Sequence, residues 1–167
     1  NQEHHFVTRF TYKGWYPIID LFWDYGGAPQ ISKPDSVDIS YSGYRSNFNV
    51  NIYVPLNLTR NKWVRGLYPE ISGQYTNSYI YNQETGNYDR GRLLLNYRLY
   101  YYNYLKLATK DIKPRLGFLI DINYTNAPFN SNQYGSIGSV YGGVYLPGLF
   151  RHHTIFIRGG LERQNIS

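Results

Sequence analysis

The stretch NFNVNIYVPLNLT, running from Asn47 to Thr59, sorts its residues onto two faces by parity alone. Phe48, Val50, Ile52, Val54, Leu56 and Leu58 fall on one parity, while Asn47, Asn49, Asn51, Tyr53, Pro55, Asn57 and Thr59 fall on the other. A strand sends successive side chains to opposite faces, so this segment carries one oily surface and one wet one. In a soluble sheet the oily face packs a core. In a transmembrane barrel it meets lipid, and the wet face lines the lumen. The alternation by itself does not choose.

The same period recurs along the chain and predicts eight strands: His5–Lys13, Tyr16–Tyr25, the stretch above, Val64–Tyr81, Gly91–Leu107, Lys113–Thr125, Tyr134–Leu146 and His153–Gln164. No segment between them reads as a helix. Twenty Tyr and sixteen Gly fit strands and turns, and no apolar run is long enough for a helical span. The predicted strands are about 9 to 18 residues long. Soluble strands centre near about 5 or 6 residues and barrel-spanning ones need about 9 to 11. Length therefore favours an all-β, antiparallel up-and-down transmembrane β-barrel.

The connections point the same way. KGWY, TRNKW, ATKDIK and PGLFRHH are short, and they alternate with the longer polar links GGAPQISKPDSVDIS, NQETGNYDRG and NAPFNSNQYGS. Short turns at one end and long loops at the other are expected of a barrel in a bacterial outer membrane, with the short turns in the periplasm. A Greek-key sandwich has no reason to keep that alternation. On this topology the first strand descends from outside and the last returns there. The expectation is thus a single domain, residues 1–167, that forms part of a barrel of about ten strands or more, because a partial barrel leaves two unpaired edges in lipid.

The net charge is +6, and nine of the seventeen basic residues cluster at the short turns: Lys13, Arg60, Lys62, Arg65, Lys106, Lys110, Lys113, Arg115 and Arg151. Cations at headgroup level can reach lipid phosphates while their stems lie along apolar surface. Nucleic-acid binding would need them on one compact face among aromatics, so outer-membrane lipid is the expected partner. The chain has no cysteine, which removes disulfides, thiolate chemistry and cysteine-bound zinc together.

Three sets of residues follow from parity. Asp20, Asp24, Asn49, Asn51, Glu70, Asn96, Arg98, Arg115 and Asp121 are expected to face the lumen, where opposite charges can form an ion-pair lattice, line a conduction path or serve as an acid/base pair. Phe48, Val50, Ile52, Val54, Leu95, Leu99, Phe118 and Ile120 are expected to face lipid. Pro147, Gly148, His152 and His153 are expected to build a periplasmic turn. Adjacent strand residues point to opposite faces, so His152 and His153 do not readily share a metal ion. No spacing nominates a catalytic serine, and no cofactor is implied.

YKGWYPIIDLFWDYGG, Tyr12 to Gly27, and VYLPGLFRHHTIFIRGG, Val144 to Gly160, resemble the C-terminal outer-membrane barrel of large Bacteroidota surface proteins in which a TolB-like propeller precedes the barrel, distantly akin to Omp85 barrels. VPLNLTRNKWVRGLYPEISGQY fits the same strand, basic turn and returning strand. The resemblance implies a non-enzymatic anchor, scaffold or assembly factor within a larger envelope protein or complex, with other envelope proteins or the rest of its own polypeptide as partners. Two further expectations stand beside it: an outer-membrane pore or substrate-specific channel, and a soluble secreted β-sandwich that binds glycans through its Tyr and Trp residues.

Overall fold

The computed structural model describes residues 4–27, 44–82, 86–107, 113–129, 135–150 and 152–165. They form β1 (His5–Tyr12), β2 (Ile18–Gly27), β3 (Tyr44–Tyr53), β4 (Leu56–Asn57), β5 (Trp63–Asn82), β6 (Asn87–Leu105), β7 (Gly117–Asn126), β8 (Ser136–Pro147) and β9 (Thr154–Asn165), with no helix among the described residues. All pair in one antiparallel sheet in chain order, the two-residue β4 lying beside β5 next to β3. The sheet is up-and-down and open, with β1 and β9 as its edges.

Pro55 explains why the expected third strand divides into β3 and β4. Proline has no N–H to give to the ladder, and the Val54 N–H instead reaches the Pro69 carbonyl at 3.1 Å. The register survives the interruption: Tyr53 pairs with Glu70 and Leu56 with Leu67. Arg60 and Trp63 then close the hairpin by exchanging backbone hydrogen bonds of 3.0 and 3.1 Å around Asn61 and Lys62. Asn61 takes φ 56°, the left-handed conformation that such a two-residue turn demands and that Asn tolerates.

One predicted link changes character. NQETGNYDRG was expected as a long loop, but a register shift between Thr76 and Tyr79 lets pairing resume as far as Asn82 with Asn87. Only positions 83–86 are left to connect the strands, so β5 and β6 form a hairpin of 20 and 19 residues. The first long link lies almost wholly outside the described residues.

Cross-strand register carries the two-faced pattern across the whole sheet. Asn51 stands opposite Asp20 and Ser72; Glu70 stands opposite Arg98, which stands opposite Asn123. On the other face Val50 meets Leu21, Ile52 meets Ile19 and Ile71, and Leu99 meets Ile122. Ile122 in turn meets Val140, which meets Leu161. The apolar side is the more exposed one: Phe48 is 41% exposed, Ile52 39% and Leu99 40%, whereas Asn49 and Asn51 beside them are half-buried. Among the described residues Ala127 is the one buried hydrophobic, and no large side chain is fully buried. Among the described residues no second layer covers the apolar face of this sheet.

The register is also staggered. Tyr12, the last residue of β1, aligns through Ile19, Ile52, Ile71, Tyr97, Tyr124 and Gly138 with Arg163, nine positions beyond the start of β9 at Thr154. Close contacts between rings and glycines fix the polar side of this register. Tyr102 lies against Gly66 and Tyr141 against Gly160, so closely that a Cβ at either glycine would fall within 2.6 or 2.3 Å of the ring. Gly117 has φ +154°, and a Cβ there would sit 2.4 Å from the Tyr104 Cβ. Gly117→Ala should therefore destabilise the protein by about 2 kcal/mol. Gly159→Ala, whose Cβ meets nothing within 4 Å, should change stability by less than about 0.5 kcal/mol. Equilibrium urea unfolding followed by tryptophan fluorescence measures both.

Candidate functional site

The polar face is the region where the sequence concentrates charge, and the sheet gathers it into three groups. Between β1 and β2, Asp20 accepts hydrogen bonds from the Thr11 hydroxyl and from the Arg9 guanidinium, the latter at 3.3 Å. Four residues further along β2, Asp24 accepts from Arg45 and from the Asn47 amide, each at 3.2 Å, and lies 3.8 Å from His5 Nδ1. Both groups arise because alternate residues of β2 share a face with their cross-strand partners.

The third group crosses β5, β6 and β7. Arg98 donates two parallel hydrogen bonds to Asp121, at 2.9 Å from Nε and 2.7 Å from its terminal nitrogen, the bidentate geometry that suits a guanidinium and a carboxylate. Glu70 lies 3.7 Å from the same guanidinium, and the Asn123 amide donates to Asp121 at 3.1 Å. Asn96 extends the group by donating to Thr125 at 2.7 Å. The Arg98 guanidinium also sits 5.4 Å from the Tyr100 ring centre, within cation–π range.

Toward the short-turn end the same face becomes aromatic. Tyr68, Tyr100, Tyr102 and Tyr104 form a continuous run of ring contacts with centres 5.1 to 6.1 Å apart. Tyr145 and Phe156 stack at 4.4 Å on β8 and β9. Beside them Asp121, Tyr141, Phe156 and Arg158 border a concavity floored by Gly142, Gly159 and Gly160. Parity places Tyr100, Tyr102 and Tyr104 on this side, but their contact with Tyr68 depends on a β5–β6 register that local sequence does not state.

Eight residues of the expected lumen set occupy this one face: Asp20, Asp24, Asn49, Asn51, Glu70, Asn96, Arg98 and Asp121. Arg115 does not join them. It is exposed in the bend before β7, because Gly117 with its positive φ, rather than Lys113, starts the strand. Asn49 and Asn51 share the face without completing a group; each has a buried amide oxygen with no hydrogen-bond partner among the described residues. A buried acceptor of this kind ordinarily finds a protein donor or an ordered water.

On the opposite face the register aligns Phe48, Val50, Ile52, Leu95, Leu99, Phe118 and Ile120, while Val54 falls in the interruption between β3 and β4. Pro147 ends β8, and the turn after it is closed by Gly148 N–H donating to the His153 carbonyl at 2.9 Å and His153 N–H donating to Phe150 at 3.1 Å. His152 takes φ 70°, and the His153 ring stands edge-on to Phe150 at 5.4 Å. Among the described residues no three His, Cys, Asp or Glu side chains gather as a metal site. No family model, curated protein or solved structure matches the chain.

The arrangement is that of paired charges bracing neighbouring strands. In a double-mutant cycle, Arg98→Gln and Asp121→Asn should show a coupling of about 1 kcal/mol, the bidentate geometry raising the pair above an ordinary exposed one and its partial exposure holding it below a buried one. Arg98→Leu should cost more than Asp121→Asn, since it leaves two carboxylates facing each other. Urea unfolding midpoints of the wild type, the two single variants of the cycle, their combination and Arg98→Leu decide this.

Proposed function

We propose that this chain is a stretch of wall from a transmembrane β-barrel of a bacterial outer membrane, serving as anchor, scaffold or assembly factor within a larger envelope protein or complex. The observation that carries the proposal is the uncovered apolar face. Monomeric soluble proteins rarely leave a contiguous apolar patch beyond a few hundred Å² open to water, yet here exposed Phe, Ile, Leu and Val extend across β3, β5, β6, β7, β8 and β9. Hydrocarbon is the solvent such a surface suits.

The stagger of the strands supports the same reading. Nine positions at ~3.3 Å, accumulated over seven interstrand spacings of ~4.8 Å, tilt the strands by ~40° when the short turns are set at one level. Spanning barrel strands tilt by about 35–45°. At that tilt the β5–β6 hairpin rises ~50 Å, twice the ~25 Å apolar band of an outer-membrane barrel, so its far end stands clear of the membrane. A projecting hairpin suits a scaffold that meets other envelope components.

Barrel geometry also gives the polar face a role. Paired charges and flattened rings along the wall stabilise a hydrated interior, and the open acceptors of Asn49 and Asn51 fit water there. The two open edges call for pairing with further strands, since unpaired backbone groups in hydrocarbon cost several kcal/mol each. The motifs Tyr12–Gly27 and Val144–Gly160 suggest a Bacteroidota barrel attached to a larger protein.

The protein, expressed in a bacterium with an outer membrane, should remain in the membrane pellet after an alkaline wash and migrate differently on gels before and after heating. Ile120→Arg should lower its folding stability in lipid by about 2–4 kcal/mol, whereas Gln74→Arg on the polar face should cost less than about 1 kcal/mol. Recovery in the soluble fraction, or an equal tolerance of both arginines, would contradict the proposal.

A further inference from the structure

We infer that the polar face carries a binding site for an acidic saccharide, a hexuronate unit or a short chain of them, at the hollow where β7, β8 and β9 bring aromatic rings, Asp121 and Arg158 together. The inference rests on the reading of this face as the hydrated interior of a membrane wall, and it names a ligand class and a place on that wall.

Register builds the site in three successive rows that share one face. Tyr68, Tyr100, Asp121, Tyr141 and Gly160 stand opposite one another in turn across β5 to β9. Two residues along each strand, Tyr102, Leu119, Gly143 and Arg158 form the next row, and two further along come Tyr104, Gly117, Tyr145 and Phe156. Alternate residues of a strand keep the same face. The polar parity therefore collects seven rings in these rows, with Asp121 and Arg158 set among them.

Glycines give the patch its relief. Tyr141 lies on Gly160 and Phe156 on Gly143, where no side chain holds the rings off the backbone. The two rings border a hollow of about 460 Å³ floored by Gly142, Gly159 and Gly160. That volume falls within the range of about 300–1,000 Å³ for small-molecule sites. Tyr141 stays 45% exposed beside it.

The polar groups at the hollow have capacity to spare. Arg158 is exposed, and among the described residues no carboxylate pairs with it, whereas Arg9, Arg45 and Arg98 on the same face each hold one. Asp121 takes two hydrogen bonds from Arg98 and one from Asn123, which leaves one of its roughly four lone-pair positions open to a donor.

A hexuronate matches this set. Its pyranose ring has apolar C–H faces that suit aromatic walls, its hydroxyls can donate to a carboxylate, and its own carboxylate suits a guanidinium fork through two parallel hydrogen bonds. A simple anion would leave the rings unused, and a neutral sugar would leave Arg158 unanswered.

The test is equilibrium dialysis of labelled trigalacturonate against the protein inserted in phosphatidylcholine vesicles. Wild type should bind it about ten-fold more tightly than neutral maltotriose, the margin of one charge-assisted contact, and acetate at equal concentration should not displace it. Arg158→Gln should remove that margin and leave maltotriose unchanged, while Tyr141→Leu should weaken both ligands about five-fold. Arg158→Gln alters an exposed side chain, so it tests the site even where Tyr141→Leu, which removes the ring packed on Gly160, folds poorly. Inserted protein that binds no trigalacturonate, binds it no better than maltotriose, releases it to acetate, or holds it unchanged in Arg158→Gln would overturn the saccharide site while leaving the membrane wall intact. Failure to insert into the vesicles would overturn the wall and the site with it.

Discussion

Cross-strand backbone hydrogen bonding is the constraint on which everything else here depends. An antiparallel ladder satisfies the N–H and C=O groups of its interior strands without help from side chains, which frees both faces to choose a solvent. In this chain the two faces choose differently. One gathers Asp, Arg, Asn and tyrosine hydroxyls, and the other gathers Phe, Ile, Leu and Val. Neither face is covered by a second layer among the described residues, and no large side chain is fully buried. A packed interior, the conventional source of folding energy, is absent from the described sheet.

The polar face shows how such a sheet keeps a single register. A slip of one residue would exchange the faces, and several contacts resist it. Arg98 and Asp121 meet through two parallel hydrogen bonds, Asp24 draws together Arg45 and Asn47, and Tyr102 and Tyr141 lie on glycines of neighbouring strands. Each of these pairs is correct in only one alignment. Individually they contribute little, as partly exposed ion pairs do. Together they specify which strand residue faces which.

Much of this was legible in the sequence because strand parity is a local property. The split of Asn49 and Asn51 from Val50 and Ile52, the site set from Asp20 to Asp121, and the PGLFRHH turn all follow from counting by twos and from turn chemistry. What was not legible depends on non-local register. The extension of the β5–β6 hairpin through Asn82 and Asn87 needs a register shift at Thr76 that no local pattern announces in a polar, glycine-containing segment. Arg115 has the right parity for the polar face yet lies outside the strand, because the backbone of Gly117 sets where β7 begins. The tyrosine run joins residues on two strands, and the hydrogen bond from Arg65 to Asn103 likewise depends on the β5–β6 register.

The absence of cysteine makes the central claim directly measurable, since any cysteine introduced is the only thiol in the chain. Nitroxide labels placed singly at Phe48, Asn49, Val50, Asn51 and Ile52, in protein reconstituted into lipid vesicles, report collision rates with oxygen, which concentrates in hydrocarbon, and with a nickel chelate, which stays in water. The account predicts a two-residue period, with oxygen favoured at 48, 50 and 52 and the chelate favoured at 49 and 51. Uniform access to the chelate at all five positions, or the period with its phase reversed, would contradict it.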